Sequence, residues 1–432
     1  MAPVWLDSCF GTGVSWEKDA MKAEIIAVGT ELLTPSRLDT NSLFITRRLN
    51  ESGLRVMRKF VVGDREEEIR RTLETALHDS EVVIITGGLG PTHDDMTREV
   101  VSEALGRELE LNSALVSGLK ARFKRAGLKI TENNFRQAMV PEGAEPIENP
   151  NGSAPGLFLK EGKALLFLLP GPPRELEPMM DQVMKLVGKH KQITQAFHRR
   201  LKVASQAESV VDSAVGPIYT SYPQIETTIL SSPGIIELFF YWVGEPDQEL
   251  AERQLEELQS RLVEKLGESL FTNQEESLEE VVGGILRKSG RSVATAESCT
   301  GGLMGKMLTD VPGSSDYYRG GVICYGNKLK VDLVGVERDA LERFGAVSEP
   351  VARQMAFGIR ESTRADFGLS VTGIAGPDGG TPEKPVGLVF IGLSDDQDTQ
   401  VRQERFPGTR EAIRMRACRH ALDWLRRKML TG

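Results

Sequence analysis

The run AEIIAVG over 23–29 is apolar without alternation, the pattern of a strand buried on both faces. Leu38, Phe44 and Leu49 follow at helical spacing and predict a helix over 38–49. The pairing repeats as a strand over 56–62, a helix over 66–77, and an apolar strand over 82–85 that runs into TGGLGPTHDDMT. Strands alternating with helices predict an α/β fold with a doubly wound, mainly parallel sheet, whose ligands sit beyond the carboxyl ends of the strands; the glycine loop falls there. PGPP at 170–173 punctuates the chain, and a helix from about Arg174 closes this first domain.

From about 198 to 270 the pattern shortens to a strand, a helix near Ser209, two strands around Thr227 and Leu238, and a long helix over 248–266, a small α+β domain. After FTNQEES, Ser277 and Glu280 stand at capping-box spacing ahead of an apolar stripe at Leu278, Val281, Val282 and Ile285. A third domain, again α/β, then proceeds through a strand over 292–296, the loop ESCTGG, a strand over 322–325, and strands ending near Thr372, Gly392 and Phe406. Its last helix runs from Thr409 to about Leu425. The expected organisation is a tail over 1–20 outside the fold and domains over 21–190, 191–272 and 275–432. A fragment starting near Glu275 is expected to fold alone.

Composition narrows the function classes. At 40% hydrophobic and 27% charged residues the chain has the mixture of a globular protein. Its net charge of −9 and lack of a basic aromatic face oppose direct binding to nucleic acid or an anionic membrane. The longest apolar run, over 164–170, is far short of the roughly 20 residues that cross a bilayer. With no basic n-region or apolar h-region at its start, the chain reads as cytoplasmic. Cys9, Cys299, Cys324 and Cys418 are scattered, giving neither a disulfide framework nor zinc-ligand spacing. The partners expected are small-molecule nucleotides and further copies of the chain, as a homo-oligomer.

In AESCTGG a strand delivers Ser298 to a turn before Gly301 and Gly302, where backbone donors at a helix start can face an anion or oxyanion. A serine nucleophile needs a base, and the only histidine of this domain, His420, lies in the final helix with no serine motif beside it. A lysine serves if burial or a neighbouring charge depresses its pKa. Lys330, in CYGNKLK just after a strand, is the leading candidate, and Lys328 the runner-up. Cys299 is read as a buried small hydrophobe. Taken alone, a serine before a glycine turn is more often a cap, and a helical lysine more often a solvated face.

The ordered set AESCTGG, PGSSDYYRGGVICYGNKLK, GAVSEP, SVTGIAGPDGGTPEKPVG and RFPGTR resembles the carboxyl-terminal domain of the CinA family, the nicotinamide mononucleotide deamidases. The resemblance implies Ser298 as nucleophile, Lys330 as general base and Tyr325 in support. It places Ser315, Thr372 and Arg410 near the substrate, where Arg410 at a helix start can pair a phosphate. The implied reaction releases ammonia and nicotinic acid mononucleotide through an acyl-enzyme, with no cofactor.

Towards the amino terminus, GTELLTPSRLDTN, TGGLGPTHDDMT, NPNGSAPG and LPGPPREL resemble the molybdopterin-binding-like domain of full-length CinA proteins. From the residues themselves, Gly87, Gly88 and Gly90 form a loop able to cradle phosphate, and Asp94 and Asp95 could hold a divalent cation. In some CinA proteins this domain is a metal-dependent ADP-ribose pyrophosphatase, which makes Glu31, Asp39 and Asp95 the acidic candidates here, with Asp95 the metal ligand. This chain departs from the family in carrying TPSR where a glycine usually follows GTELL, and QAES in the middle domain where GxGES is usual. A scaffold or oligomerisation role is expected for that middle domain. The alternative to a deamidase is a non-catalytic pterin- or nucleotide-binding protein.

Overall fold

The computed structural model describes residues 21–191, 197–243 and 247–431, so the expected tail over 1–20, with Cys9, lies outside the described residues. The chain divides into two units, 1–197 and 198–432.

In the first unit the sheet is built from β1 (Lys22–Val28), β2 (Arg55–Val62), β3 (Val82–Thr86), β4 (Glu145–Ile147), β5 (Gly156–Glu161) and β6 (Ala164–Leu169), in the order β2-β1-β3-β6-β5-β4. The first four in that order are parallel, and β5 and β4 return antiparallel at one edge. Apart from Glu24, whose buried carboxylate pairs with Arg58 of β2, the apolar run of β1 has the expected cause. Ala23 and Ile25 pack on one face with Ile45 and Leu49 of helix α1 (Thr40–Glu51), while Ile26 and Val28 pack on the other with Ile69 and Leu73 of α2 (Glu66–Asp79). Helix α1 begins two residues later than its apolar spacing predicts. Asp39 caps it, its Oδ1 accepting from the Ser42 amide at 2.9 Å, and Leu38 is left outside at 85% exposure.

The second unit holds two sheets. In the first, β7 (His198–Ala204), β8 (Ile225–Ser232), β9 (Ile235–Trp242) and β10 (Leu270–Thr272) form an antiparallel sheet in the order β8-β9-β7-β10. In the second, β11 (Val293–Glu297), β12 (Tyr318–Ile323), β13 (Phe367–Gly373), β14 (Leu388–Ser394) and β15 (Thr399–Arg405) run in the order β12-β11-β13-β14-β15. The first three are parallel and the last two antiparallel. Strand β12 starts four residues before the expected 322. Gly320 and Gly321 look like chain breakers, yet Gly321 sits where a Cβ would overlap the Thr295 hydroxyl of β11, so glycine here permits the close approach of an edge strand.

Three domains were expected, but residues 198–272 share a core with the carboxyl-terminal part. Ala204, Ile235 and Phe271 join one apolar cluster with Leu278, Val282 and Leu425. Arg426 also donates to the Glu268 carbonyl. A fragment beginning at His198 should therefore unfold at higher urea than one beginning at Glu275, which gives up the burial of Ile235 and Phe271. Equal midpoints would show that the shared cluster adds no stability. Among the described residues no helix is long and apolar enough to cross a membrane.

Candidate active site

Strand β11 ends at Glu297, and the Ser298 amide still donates to the Val371 carbonyl of β13 at 2.9 Å, which fixes the serine at the carboxyl end of the sheet. The chain then turns through Gly301 and Gly302, both at positive φ (59° and 89°), into helix α3 (Leu303–Thr309). The buried carboxylate of Glu297 closes this turn by accepting from the amides of Gly302 at 3.0 Å, Met304 at 3.1 Å and Gly305 at 2.8 Å. Sequence reasoning passed over Glu297, although a carboxylate four residues before a helix-starting glycine pair is within reach of the orphan amides of that helix and can cap it. The glycine-pair amides expected to face a ligand are thus already committed, Gly301 to the Ser298 carbonyl and Gly302 to Glu297. The amides of Cys299 and Thr300 donate to no backbone carbonyl among the described residues.

Helix α4 (Asn327–Val334) follows β12 and carries Lys330 inward to 1% exposure. Its Nζ lies 3.1 Å from Ser298 Oγ, 2.9 Å from the Cys324 carbonyl and 3.1 Å from the Tyr325 carbonyl. Burial pushes the Lys330 pKa down; Cys324 and Cys299 oppose this only as thiolates. Both thiols are themselves raised by burial, Cys299 to about 12, so neither is a thiolate near neutral pH and Cys299 is no rival nucleophile. Lys328, the runner-up base, has its amine exposed and paired with Asp332.

The remaining expected residues separate into those the fold brings to the serine and those it does not. Tyr325 supports the lysine through its carbonyl, while its ring is 60% exposed and its hydroxyl lies 3.5 Å from Arg410 Nη2. Arg410, opening helix α5 (Arg410–Thr431), also donates to the Gly376 carbonyl at 2.6 Å, so it links the TGIAGPDGG turn to the tyrosine. Thr372 is fully buried on β13 and gives its hydroxyl hydrogen to the Ala346 carbonyl at 2.8 Å, so it anchors a loop rather than offering a donor to substrate. Ser315 is not brought to Ser298 within this chain. It precedes β12, which runs parallel to β11, so it sits at the amino end of the sheet, one strand length of roughly 16 Å from the end that carries Ser298. His420 is held down to about 4 by burial and is absent from the dyad.

In the first unit a cavity of about 470 Å³ lies beyond the carboxyl ends of β1 and β3 and gathers Glu31, Asp39, Gly87, Gly88, Gly90, Asp94 and Asp95. Gly87, at φ 104°, lies so close to the Val28 carbonyl that any Cβ would overlap it, which explains the glycine at that strand end. Asp39 caps α1, and Asp95 Oδ2 accepts from the Thr92 amide at 2.9 Å and from the Thr92 hydroxyl. Among the described residues no three His, Cys, Asp or Glu side chains group at ligating distances, and one oxygen each of Asp39 and Asp95 is engaged as a cap.

Two family models match this chain: "CinA C-terminal domain" over 275–429 and "Probable molybdopterin binding domain" over 24–189. A CinA-like protein of Acidobacterium capsulatum is 46% identical over 415 residues, 95% of this chain and 100% of its own. The chain belongs to the CinA family. A CinA-like protein of Koribacter versatilis is 44% identical over 416 residues, covering 95% of this chain and 100% of its own. Among solved structures, CinA of Thermoplasma acidophilum is 36% identical, covering 39% of this chain and 98% of that one at a TM-score of 0.37. In this CinA family member the match over 275–429 contains Glu297, Ser298, Lys330, Tyr325 and Arg410, and the match over 24–189 contains the glycine-loop cavity.

Proposed function

We propose that the carboxyl-terminal site hydrolyses the carboxamide of nicotinamide mononucleotide. The observation that carries this reading is the buried Lys330 amine 3.1 Å from the Ser298 hydroxyl, its other two acceptors being backbone carbonyls. A neutral lysine amine has two hydrogens and one lone pair. With the hydrogens on the Cys324 and Tyr325 carbonyls, the lone pair faces Ser298 Oγ–H, the arrangement a general base needs.

Ser298 Oγ attacks the carboxamide carbon as its proton passes to Lys330. The resulting oxyanion is met by the amides of Cys299 and Thr300. Lys330 returns the proton to the departing nitrogen, the C–N bond breaks, ammonia leaves, and an acyl ester remains on Ser298. Lys330 then takes a proton from water, the hydroxide adds to the ester carbon, and the ester bond breaks to give nicotinic acid mononucleotide and Ser298 with its proton restored. Arg410 and Tyr325 meet the phosphate-bearing end of the substrate. The chemistry as written uses no cofactor.

The direct test is ammonia release. The full chain is expected to form ammonia and nicotinic acid mononucleotide in equal amounts, and folded protein that forms neither would leave the site as a nucleotide-binding module. Arg410→Ala should raise KM for the mononucleotide roughly tenfold with little change in kcat, since a charge-assisted contact of this kind is lost in ground and transition state alike. The riboside, which lacks the phosphate, should show no such change.

For the first unit, the glycine-loop cavity at the strand ends supports binding of a nucleotide's phosphate. ADP-ribose is expected to bind the full chain, and any turnover to stop when divalent ions are chelated. Turnover unaffected by a chelator would contradict that reading.

A further inference from the structure

A separate cavity of about 220 Å³ opens in the second unit, lined by Arg402 and Glu404 of β15, His420, Asp423 and Arg427 of α5, and Ser205 in the turn after β7. None of the dyad residues lines it. Its charges are poorly matched. The Arg402 guanidinium lies over the Trp424 ring, 4.3 Å from its centroid, and among the described residues no carboxylate pairs with it. Arg427 meets Asp423 Oδ2 at 2.8 Å, but the same carboxylate also meets Arg426 at 2.8 Å, so one negative charge serves two guanidiniums.

Donors without acceptors point the same way. The Nε of Arg427 and the hydroxyl of Ser205 are buried and reach no hydrogen-bond partner. Ser205 is one of two non-glycine residues at positive φ among the described residues (59°), a conformation that a serine holds only at a cost and that here sets its side chain at the cavity. Gln206 beside it adds an amide. Two lining acids, Glu404 and Asp423, oppose an anion; Asp423 is already engaged by Arg426 and Arg427, and burial raises the Glu404 carboxyl pKa, with Arg402 opposing. His420, held down to about 4, is neutral at pH 7 and adds no positive charge.

The geometry points to an anion site for a phosphate group, free or carried as the ester of a small molecule, held by Arg402 and Arg427 with Ser205 and Gln206 as further donors. Donors arriving from β15, α5 and the 205–206 turn suit the several acceptor atoms of a tetrahedral oxyanion better than the two of a carboxylate. The volume is below the roughly 300 Å³ at which pockets for larger organic ligands begin, which limits any ester to a small one.

The test reads Trp424 directly, so that phosphate bound near Arg410 or in the first unit is not mistaken for it. The full chain is labelled with 5-fluorotryptophan, the Trp424 fluorine resonance is assigned with Trp424→Phe, and inorganic phosphate is titrated at constant ionic strength against chloride. The expected result is a saturable shift of that resonance, weakened at least about tenfold in Arg402→Gln, strengthened in Glu404→Gln and unchanged in Arg410→Gln. Arg402→Gln is preferred to Arg427→Gln because Arg402 carries no ion pair of the fold, and circular dichroism confirms that the variant is folded. A second arm with ribose 5-phosphate separates the sources: tighter binding than phosphate assigns an ester, equal or weaker binding assigns the free ion. A shift that grows without saturation, an equal shift with chloride, or full affinity in Arg402→Gln would overturn the site.

Discussion

Ser298→Ala and Lys330→Ala should each lower ammonia release from nicotinamide mononucleotide by several orders of magnitude while leaving its binding largely intact. The two side chains are 3.1 Å apart and act as one proton-transfer unit, so the double variant should be scarcely slower than either single one. Lys330→Arg should not rescue, because a guanidinium keeps its proton at any working pH. The pH profile has a definite sign. Burial lowers the Lys330 pKa from its usual value, and only the neutral amine accepts the serine proton, so kcat should rise with pH through that lowered pKa and then level off. Lys328→Ala should be mild, since that amine is exposed and paired elsewhere. Near-normal turnover by folded Ser298→Ala protein would remove the covalent mechanism. The thiol of Cys299, pushed up to about 12, would not replace it.

The second large effect is expected at Glu297. Its carboxylate satisfies three amides at the start of α3, and its removal would leave the Met304 amide buried and those of Gly302 and Gly305 partly buried without that acceptor, beside an apolar cluster containing Met304 and Cys299. Hydrogen bonds to a charged group are worth about 1.5–3 kcal/mol each and are not additive here, so Glu297→Ala should cost on the order of 3 kcal/mol or more. Urea unfolding followed by the fluorescence of Trp242 and Trp424 measures this. Glu297→Gln should recover only part of the loss, because an amide puts an NH2 where the second oxygen accepts. The same variant should lower kcat more than it raises KM, since the Ser298 turn loses its anchor while the Arg410 end is untouched. Wild-type stability and turnover in Glu297→Gln would show that the turn holds its shape without the carboxylate.

The residues alone offered Ser298 and Lys330 only as candidates, and the ordered motifs around them carried the pairing, although each side chain is set by local structure. Ser298 is set by a strand, a turn and two glycines in close succession, and Lys330 lies on the short helix that follows the neighbouring strand. The errors came where the fold, rather than the residue, decides the role. Ser315 is a hydroxyl in a matching motif, but strand direction carries it to the far end of the sheet. Asp39 and Asp95 have the chemistry of metal ligands and of caps in equal measure, and only the fold shows that the Ser42 and Thr92 amides engage one oxygen of each. The phenol of Tyr325 was the obvious feature to assign, whereas its contribution to the lysine is a carbonyl, which no side-chain pattern reveals. The shared core of 198–272 with the last domain was hidden for a similar reason: each segment shows its own complete periodicity, and nothing along the chain states that Ile235 and Phe271 pack against Leu278 and its neighbours.

The manner in which Lys330 is held bears on how this protein can change over generations. Two of its three anchors are main-chain oxygens at 324 and 325, and every amino acid carries one. Side chains at those positions can drift without loosening the amine, whereas an inserted or deleted residue between 324 and 330 would swing the lysine off its carbonyls. The dyad is therefore tolerant of substitution and intolerant of a change in chain length. In a library of random variants across this segment, active clones should tolerate replacement at Cys324, show a raised KM on replacement of Tyr325, whose phenol lies beside Arg410, and be depleted of any that alter the count of residues.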